Sequence, residues 1–292
     1  MTLANDALAQ IKQAEDYNST PRGSLRPSSI GQPLIQLILK DLVLPHLPTP
    51  ESQKPTFDRS FNMNLGYFLE SCLKAYVSKT LSTEATIQQG RTLNYKGISG
   101  SCDLIVFDEP NNKITLIECK CLGISTKAEA VEYVTTDNWG YLTQLSLYYS
   151  ALITEYPGWE IDCYWFVWAK KISKSFKIQY PHSPVDAIAI ADFAVTKVDD
   201  YNEVARLIDI GEPKLAAQKL LEYSQDLPLR VRQSNYYAGT CSLHFSPYVD
   251  LLVDRQGYPL PEIESNLELL IKASYNEQAK EILAIALTNA KH

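Results

Sequence analysis

The chain has 292 residues, of which 45% are hydrophobic and 21% are charged, and its formal net charge is −7. This is the composition of a globular protein whose core is large enough to fold without disulfide or metal cross-links. The net negative charge argues against a protein that coats nucleic acid by bulk electrostatics, but it leaves room for a local basic groove.

Several functional classes are disfavoured by what the sequence lacks. No apolar stretch reaches the roughly 18 residues of a membrane-spanning helix, and residues 1–16 lack the features of a secretory signal. We therefore expect a cytoplasmic protein with reduced cysteines. The six cysteines form no CxxC pair and the four histidines have no ligand spacing. Zinc sites, iron–sulfur clusters and histidine- or cysteine-based nucleophiles are thus disfavoured.

Hydrophobic periodicity and turn residues predict helices followed by strands in the first part of the chain. The predicted elements are helices over 3–16, 28–43 and 62–81 and strands over 86–95, 98–107 and 113–121. Ser28 and Ser29 are predicted to cap the second helix. Glu109 to Asn112 form a turn, so the last two strands are predicted to make a hairpin.

After the hairpin, the sequence predicts a loop over 122–137 and then alternating helices and strands. The predicted elements are a helix over 138–156, strands over 160–169 and 173–180, and helices over 186–193, 201–210, 213–223 and 261–289. This order predicts an α/β fold with a mixed central sheet flanked by helices, and with helical additions at both ends. We expect a core over 1–200 and a helical extension over 201–292 packed on it.

Two charged residues end an otherwise apolar face of the strand 113–121. Side chains alternate along a strand, so Glu118 and Lys120 share this face. Their burial costs several kcal/mol unless they are paired, hydrated or bound to a metal. Asp103 offers a second carboxylate on the preceding strand. Two carboxylates can hold Mg²⁺, and a lysine can orient or deprotonate water and stabilise charge on phosphorus.

The order Asp103, fourteen intervening residues, then Glu118-x-Lys120 resembles the signature of the PD-(D/E)xK nuclease superfamily. The proline of that signature is absent, because Cys102 precedes Asp103. Gly100-x-x-Asp103 is nevertheless similar to the RecB-like and lambda-exonuclease-like branch. The resemblance covers residues 21–180 and implies a restriction-endonuclease-like mixed sheet.

Two further motifs extend the resemblance. Gln144-x-x-x-Tyr148 begins 24 residues after the lysine and resembles the QxxxY motif of this branch. The spacing places both side chains on one helical face, where they can reach a phosphate or order the active-site loop. Glu70 stands where related proteins carry a metal-binding residue on the first core helix.

The resemblance implies a Mg²⁺-dependent deoxyribonuclease in which Mn²⁺ substitutes for Mg²⁺ and no iron–sulfur cluster is bound. The implied metal ligands are Glu70, Asp103, Glu118 and the backbone carbonyl of Cys119, and the implied catalytic residues are Asp103, Glu118, Lys120, Gln144 and Tyr148. A segment containing Arg22, Arg26, Ser28 and Ser29 is similar to the part of lambda-type exonucleases that binds a terminal 5′ phosphate. A plain helix cap is the alternative for this segment.

The function predicted from this resemblance is an exonuclease that resects duplex DNA ends in recombination, repair or phage DNA metabolism. Its expected location is the cytoplasm of a bacterium or of a phage-infected host. The implied partners are DNA, further copies of the chain, and a single-strand annealing or single-strand-binding protein. A structure-specific or restriction-type endonuclease and a catalytically silent DNA-binding module are the alternatives. In the last case Asp103, Glu118 and Lys120 would form a structural ion network, and Gln144 and Tyr148 would only pack.

Overall fold

In the computed structural model, the chain divides into two compact units. One comprises Met1–Gly31 and Pro55–Phe193, and the other comprises Gln32–Lys54 and Ala194–His292. The residues described are 25–31, 34–48, 68–69, 71–72, 74–76, 79, 85–136, 140–223, 248, 251–252 and 259–289. The predicted helix over 3–16 lies outside these ranges.

The first unit is built on a five-stranded mixed sheet. The strands are β1 (Thr86–Gln89), β2 (Thr92–Tyr95), β3 (Ile98–Ser101), β4 (Leu104–Asp108), β5 (Lys113–Leu122), β6 (Glu160–Ala169) and β7 (Lys174–Gln179). The large sheet has the order β1-β4-β5-β6-β7, and β2 and β3 form a separate two-stranded sheet. Strands β5 and β6 are parallel, and the other neighbours in the large sheet are antiparallel. The predicted α/β class with a mixed central sheet is thus confirmed.

The predictions of single strands over 86–95 and 98–107 are wrong, because each segment divides between the two sheets. Gly90 has a φ of +62°, a left-handed conformation that glycine adopts at little cost, and it ends β1. The segment between β1 and β2 lies beside the segment between β3 and β4. Gly90 N–H donates to the Asp103 carbonyl at 3.3 Å, and Cys102 N–H donates to the Arg91 carbonyl at 3.0 Å. Asp103 therefore lies at the bend between β3 and β4.

Eight helices are described with defined bounds. They are α1 (Pro27–Ile30), α2 (Leu34–Ile38), α3 (Lys127–Thr135), α4 (Tyr141–Glu155), α5 (Pro184–Asp209), α6 (Pro213–Glu222), α7 (Ile263–Ala273) and α8 (Glu277–Asn289). A π-helical turn, Leu39–Val43, follows α2. The described residues between 68 and 79 are helical, as predicted for 62–81.

Two local predictions on helices of the first unit are wrong. Ser28 and Ser29 do not cap a helix that runs to Val43: Arg26 occupies the N-cap position of the short helix α1, and Ser28 and Ser29 lie inside it. The predicted loop over 122–137 contains α3. This helix is capped by Thr126, whose Oγ1 accepts a hydrogen bond from the Glu129 N–H at 3.1 Å, and the Glu129 side chain accepts one from the Ser125 N–H at 2.7 Å.

In the second unit, the regular elements described are helices. The predicted helices over 186–193 and 201–210 are one helix, α5, which begins in the first unit, and the predicted helix over 261–289 is interrupted between α7 and α8. The break is stabilised by Asn276, whose side chain accepts a hydrogen bond from the Ala279 N–H at 3.0 Å. Leu220, Leu267 and Leu270 are fully buried. Within the described part of the chain, no helix is both long enough and apolar enough to cross a membrane.

Candidate active site

Two acidic side chains lie next to each other where β4 and β5 begin to pair. Leu104 pairs with Ile117 in the antiparallel register, and the next position along places Asp103 beside Glu118. The exposed fractions of these two residues are only 8% and 2%. Two buried carboxylates in this arrangement repel each other, so the site needs compensating positive charge.

Glu118 is held by one charged and one neutral donor. Its Oε1 accepts hydrogen bonds from Lys120 Nζ at 2.7 Å and from Gln144 Nε2 at 2.8 Å. Lys120 reaches it because residues two apart on β5 share a face of the sheet. The other oxygen, Oε2, is buried and has no hydrogen-bond partner among the described residues.

Asp103 is held by the backbone of β5 and by a lysine from the first helical segment. Its Oδ2 accepts a hydrogen bond from the Cys119 N–H at 2.7 Å. Its Oδ1 forms an ion pair with Lys74 Nζ at 2.5 Å. Two lysines, Lys74 and Lys120, thus balance the two carboxylates.

Burial raises the pKa of Glu118 to about 7, and the neighbouring charge of Asp103 acts in the same direction. The ammonium group of Lys120 opposes this shift, but it does not cancel it. Glu118 is therefore a carboxyl group that titrates near neutral pH in the metal-free protein. Binding of a cation would favour its ionised form.

Lys120 has an aromatic neighbour as well as an acidic one. Its Nζ lies 4.8 Å from the ring centroid of Tyr141, the first residue of α4. The Lys120 side chain is 14% exposed. An ammonium group is attracted to the face of an aromatic ring, so this contact helps to hold the end of the Lys120 side chain next to Glu118.

Gln144 and Tyr148 are both buried in α4, in which all residues from 142 to 152 are buried. Tyr148 donates a hydrogen bond from its hydroxyl to the Ser101 carbonyl at 2.8 Å. Burial, together with the charge of Glu118, raises the pKa of Tyr148, so the phenol remains a donor at neutral pH. Gln144 therefore contacts an acidic residue of the site directly, while Tyr148 holds the bend that precedes Asp103.

The Tyr148 hydrogen bond leads to a testable prediction. The substitution Tyr148→Phe should lower the free energy of unfolding by about 1 kcal/mol, because the Ser101 carbonyl loses its donor. Urea denaturation of the variant would measure this change. Tyr275→Phe, at an exposed tyrosine of the second unit, is the matched control and should have no effect. Equal stability of the two variants would contradict a role for the Tyr148 hydroxyl.

Glycine is required at Gly100 because the N-terminal helix passes very close to it. A Cβ atom at Gly100 would lie 2.7 Å from Pro27 Cδ and 3.0 Å from the Tyr148 hydroxyl. A similar approach holds α1 against the start of α4, where a Cβ at Gly31 would lie 2.4 Å from the Cα of Gly140. The close approach of Pro27 and the Tyr148 hydroxyl gives a structural reason for the glycine of the Gly100-x-x-Asp103 motif.

The segment predicted to bind a terminal phosphate lies only partly within the described residues. Arg22 lies outside the described residues. Arg26 Nε donates a hydrogen bond to Ser29 Oγ at 3.3 Å, and Ser29 is only 3% exposed. Ser28 is exposed. Arg26 is half-buried.

The donor set fits a hard divalent cation such as Mg²⁺. Asp103 and Glu118 supply carboxylate oxygens, and Glu118 Oε2 is a buried acceptor that such an ion would satisfy. Within the described part of the chain, no group of three or more acidic, histidine or cysteine side chains is arranged so that it could hold a metal ion. Mg²⁺ retains several waters and commonly takes one or two protein carboxylates, so two are sufficient. Glu70, the predicted third ligand, lies outside the described residues.

Lys74 and Tyr141 are residues of this site that the sequence analysis did not assign to it. Lys74 follows Glu70 by four positions, which on a helix places the two on one face. That spacing is a signal that could have suggested Lys74. For Tyr141, the contact with Lys120 depends on how α4 packs against β5, and no local pattern indicates it.

Among known proteins, this chain shows similarity to solved structures but not to protein families or curated sequences. The chain matches no protein-family profile and no curated protein sequence. One similar structure is that of SSO0001, with 11% identity and a TM-score of 0.36 over 67% of this chain and 87% of that one. Another is an alkaline exonuclease, LHK-Exo, from Laribacter hongkongensis, with 14% identity and a TM-score of 0.35 over 64% of this chain and 95% of that one.

Proposed function

We propose that this protein is a metal-dependent nuclease that hydrolyses DNA phosphodiester bonds. The observation that carries this proposal is the buried pair of Asp103 and Glu118, with Lys120 beside it and with one oxygen of Glu118 lacking a partner among the described residues. In a purely structural ion pair, a buried carboxylate oxygen without a partner would only destabilise the fold. In a site that binds a cation, the same oxygen is needed as a ligand.

In this proposal the chain's own residues hold the metal and organise the reacting groups. Asp103, Glu118 and the Cys119 carbonyl would bind Mg²⁺, or Mn²⁺ in its place, with Glu70 as a further ligand. The metal supplies polarisation of the phosphoryl group and activation of water. Lys120 would stabilise the charge that develops on phosphorus, or take part in positioning the water.

Gln144 and Tyr148 would act as positioning residues. Gln144 donates to the same Glu118 oxygen as Lys120 does, so it orients the carboxylate from the side of α4. Tyr148 restrains the backbone at Ser101, two residues before Asp103. Reaction geometry is sensitive to displacements of about 1 Å, so both contacts are expected to affect the rate of hydrolysis.

The motif resemblance supports a more specific form of the proposal. Gly100-x-x-Asp103 and Gln144-x-x-x-Tyr148 favour an exonuclease of the RecB-like branch that resects duplex DNA ends in recombination, repair or phage DNA metabolism. Arg26 and Ser28 would then contact a terminal phosphate. Residues 1–200 would form the catalytic core. The proposed setting is a bacterial or phage-infected cytoplasm, with homo-oligomers and a single-strand annealing or single-strand-binding protein as further partners.

A catalytically silent DNA-binding module is the second candidate, and one observation favours it. Each acidic residue of the site already contacts a lysine, Asp103 with Lys74 and Glu118 with Lys120. Such pairs can serve a purely structural purpose. Metal-dependent cleavage separates this candidate from a nuclease.

The test of the proposal compares linear and covalently closed duplex DNA, each incubated with the protein in Mg²⁺ or in EDTA. We expect loss of the linear DNA alone, only with Mg²⁺, and none with Glu118→Ala. Cleavage of the closed circle would instead indicate an endonuclease. Inertness toward both substrates would contradict the nuclease proposal and favour the silent module.

A further inference from the structure

The four carboxylate oxygens of the site are not equally occupied. Asp103 Oδ2 accepts the Cys119 N–H, and Glu118 Oε1 accepts hydrogen bonds from Lys120 and Gln144. Glu118 Oε2 has no partner in the described part of the chain. The remaining oxygen, Asp103 Oδ1, is occupied by Lys74 Nζ at 2.5 Å. A cation that binds to both carboxylates can therefore use Glu118 Oε2 directly, but at Asp103 Oδ1 it must compete with the ammonium group of Lys74.

We propose that Lys74 is an internal competitor of the metal: its ammonium group takes the place of the cation on Asp103 in the metal-free protein and weakens metal binding until it is displaced. This inference rests on the nuclease function proposed above. Lys74 is thus a positioning residue that controls the affinity of the site for metal.

The physical basis is that an ammonium group and a divalent cation need the same oxygen. Both are attracted by the pair of negative charges at Asp103 and Glu118, and they repel each other at short distance. The Lys74 side chain is 27% exposed, whereas that of Asp103 is 10% exposed. The lysine can therefore swing toward water on its flexible stem, while the carboxylate remains in place.

Displacement of Lys74 also has a use in the proposed reaction. An ammonium group released from Asp103 would be available to a backbone phosphate of DNA bound at the proposed site. It can then pair with that phosphate as a mobile point charge. DNA would thereby help to remove the competitor, so metal and DNA would bind more tightly together than separately.

The test measures Mn²⁺ binding to the full-length protein without DNA, using the electron paramagnetic resonance signal of free Mn²⁺. We expect Lys74→Gln to bind Mn²⁺ about tenfold more tightly than the unmodified protein, because the competing charge is removed. Lys74→Arg keeps the charge and should retain the weaker affinity. Lys79→Gln, at an exposed lysine of the same helical segment, is the matched control and should change nothing.

Thermal unfolding provides a second readout that does not depend on activity. Lys74→Gln leaves Asp103 without its cation, so the metal-free variant should unfold at a lower temperature than the unmodified protein. Added Mn²⁺ should raise its unfolding temperature by more than it raises that of the unmodified protein. A folded Lys74→Gln variant with unchanged Mn²⁺ affinity would overturn the inference on Lys74 alone.

The same Mn²⁺ measurements would give a different result if the proposed nuclease function itself were wrong. If neither the unmodified protein nor Lys74→Gln binds Mn²⁺, the site does not hold metal and the nuclease proposal falls with it. If both bind Mn²⁺ and Glu118→Ala also binds it equally well, the ion is held elsewhere, and both proposals are overturned. Tighter binding by Lys74→Gln that disappears in the double variant with Glu118→Ala supports both.

Discussion

Replacement of Lys120 by alanine is expected to lower the rate of DNA hydrolysis by a factor of about 100 to 1,000. The ammonium group lies beside Glu118 and against the ring of Tyr141, so in the proposed reaction it would stabilise the charge that develops on phosphorus. Loss of this charge acts on the transition state more than on the bound substrate. DNA affinity, measured by fluorescence anisotropy in EDTA, should therefore remain close to that of the unmodified protein.

The matched control for this experiment is Lys214→Ala, which removes an exposed lysine from α6 in the second unit and should leave hydrolysis unchanged. Circular dichroism would establish that both variants are folded. Undiminished hydrolysis by a folded Lys120→Ala variant would remove Lys120 from the proposed mechanism.

The second large effect concerns the stability of the metal-free protein and its dependence on pH. Burial raises the pKa of Glu118 to about 7, above the ordinary value of 4.5 that applies when the chain is unfolded. The folded state therefore holds this proton more tightly than the unfolded state does. As the pH rises from 4.5 through 7, this group lowers the free energy of unfolding, by up to about 3 kcal/mol.

Glu118→Gln should remove that contribution, because an amide does not ionise. We expect the free energy of unfolding of the metal-free variant to fall less than that of the unmodified protein between pH 4.5 and pH 8. Urea denaturation in EDTA across this range would measure the difference. Glu109→Gln changes an exposed carboxylate and should keep the full dependence. An identical pH profile for Glu118→Gln would show that Glu118 is ionised at no cost in the folded protein.

Metal binding should reverse this pH effect. A cation at Glu118 favours the ionised form, so its binding at pH 6 must release a proton that is already absent at pH 8. The affinity for Mn²⁺ should consequently decrease as the pH falls below about 7. This links the stability of the metal-free protein to the same carboxyl group that is proposed to bind the metal.

Much of the candidate site could be predicted from local sequence patterns. The alternation of side chains along β5 places Glu118 and Lys120 on one face, and the spacing of the hairpin places Asp103 next to Glu118. The i and i+4 spacing of Gln144 and Tyr148 places them on one face of α4. These relations depend on the repeat of a strand or a helix and on the register of one hairpin, so they do not require knowledge of how the helices pack on the sheet.

Local patterns failed where two elements compete for one segment. The strand pattern over 86–95 continues across Gly90, yet the chain leaves the large sheet there because β2 pairs with β3. Sheet membership depends on which partner is available, and no property of the segment alone encodes that. The prediction of a loop over 122–137 is wrong for a different reason: Thr126 and Glu129 have the spacing of a helix N-terminus, and this local signal indicates α3.

The α/β class, the hairpin and the order of the charged and amide residues of the site therefore follow from local patterns in the sequence. The contact of Lys74 with Asp103, the contact of Tyr141 with Lys120, and the lack of a described partner for one oxygen of Glu118 follow from how the elements pack together. Periodicity places residues on the face of a single element. Contacts between elements depend on packing, which is set by the whole core rather than by any one segment.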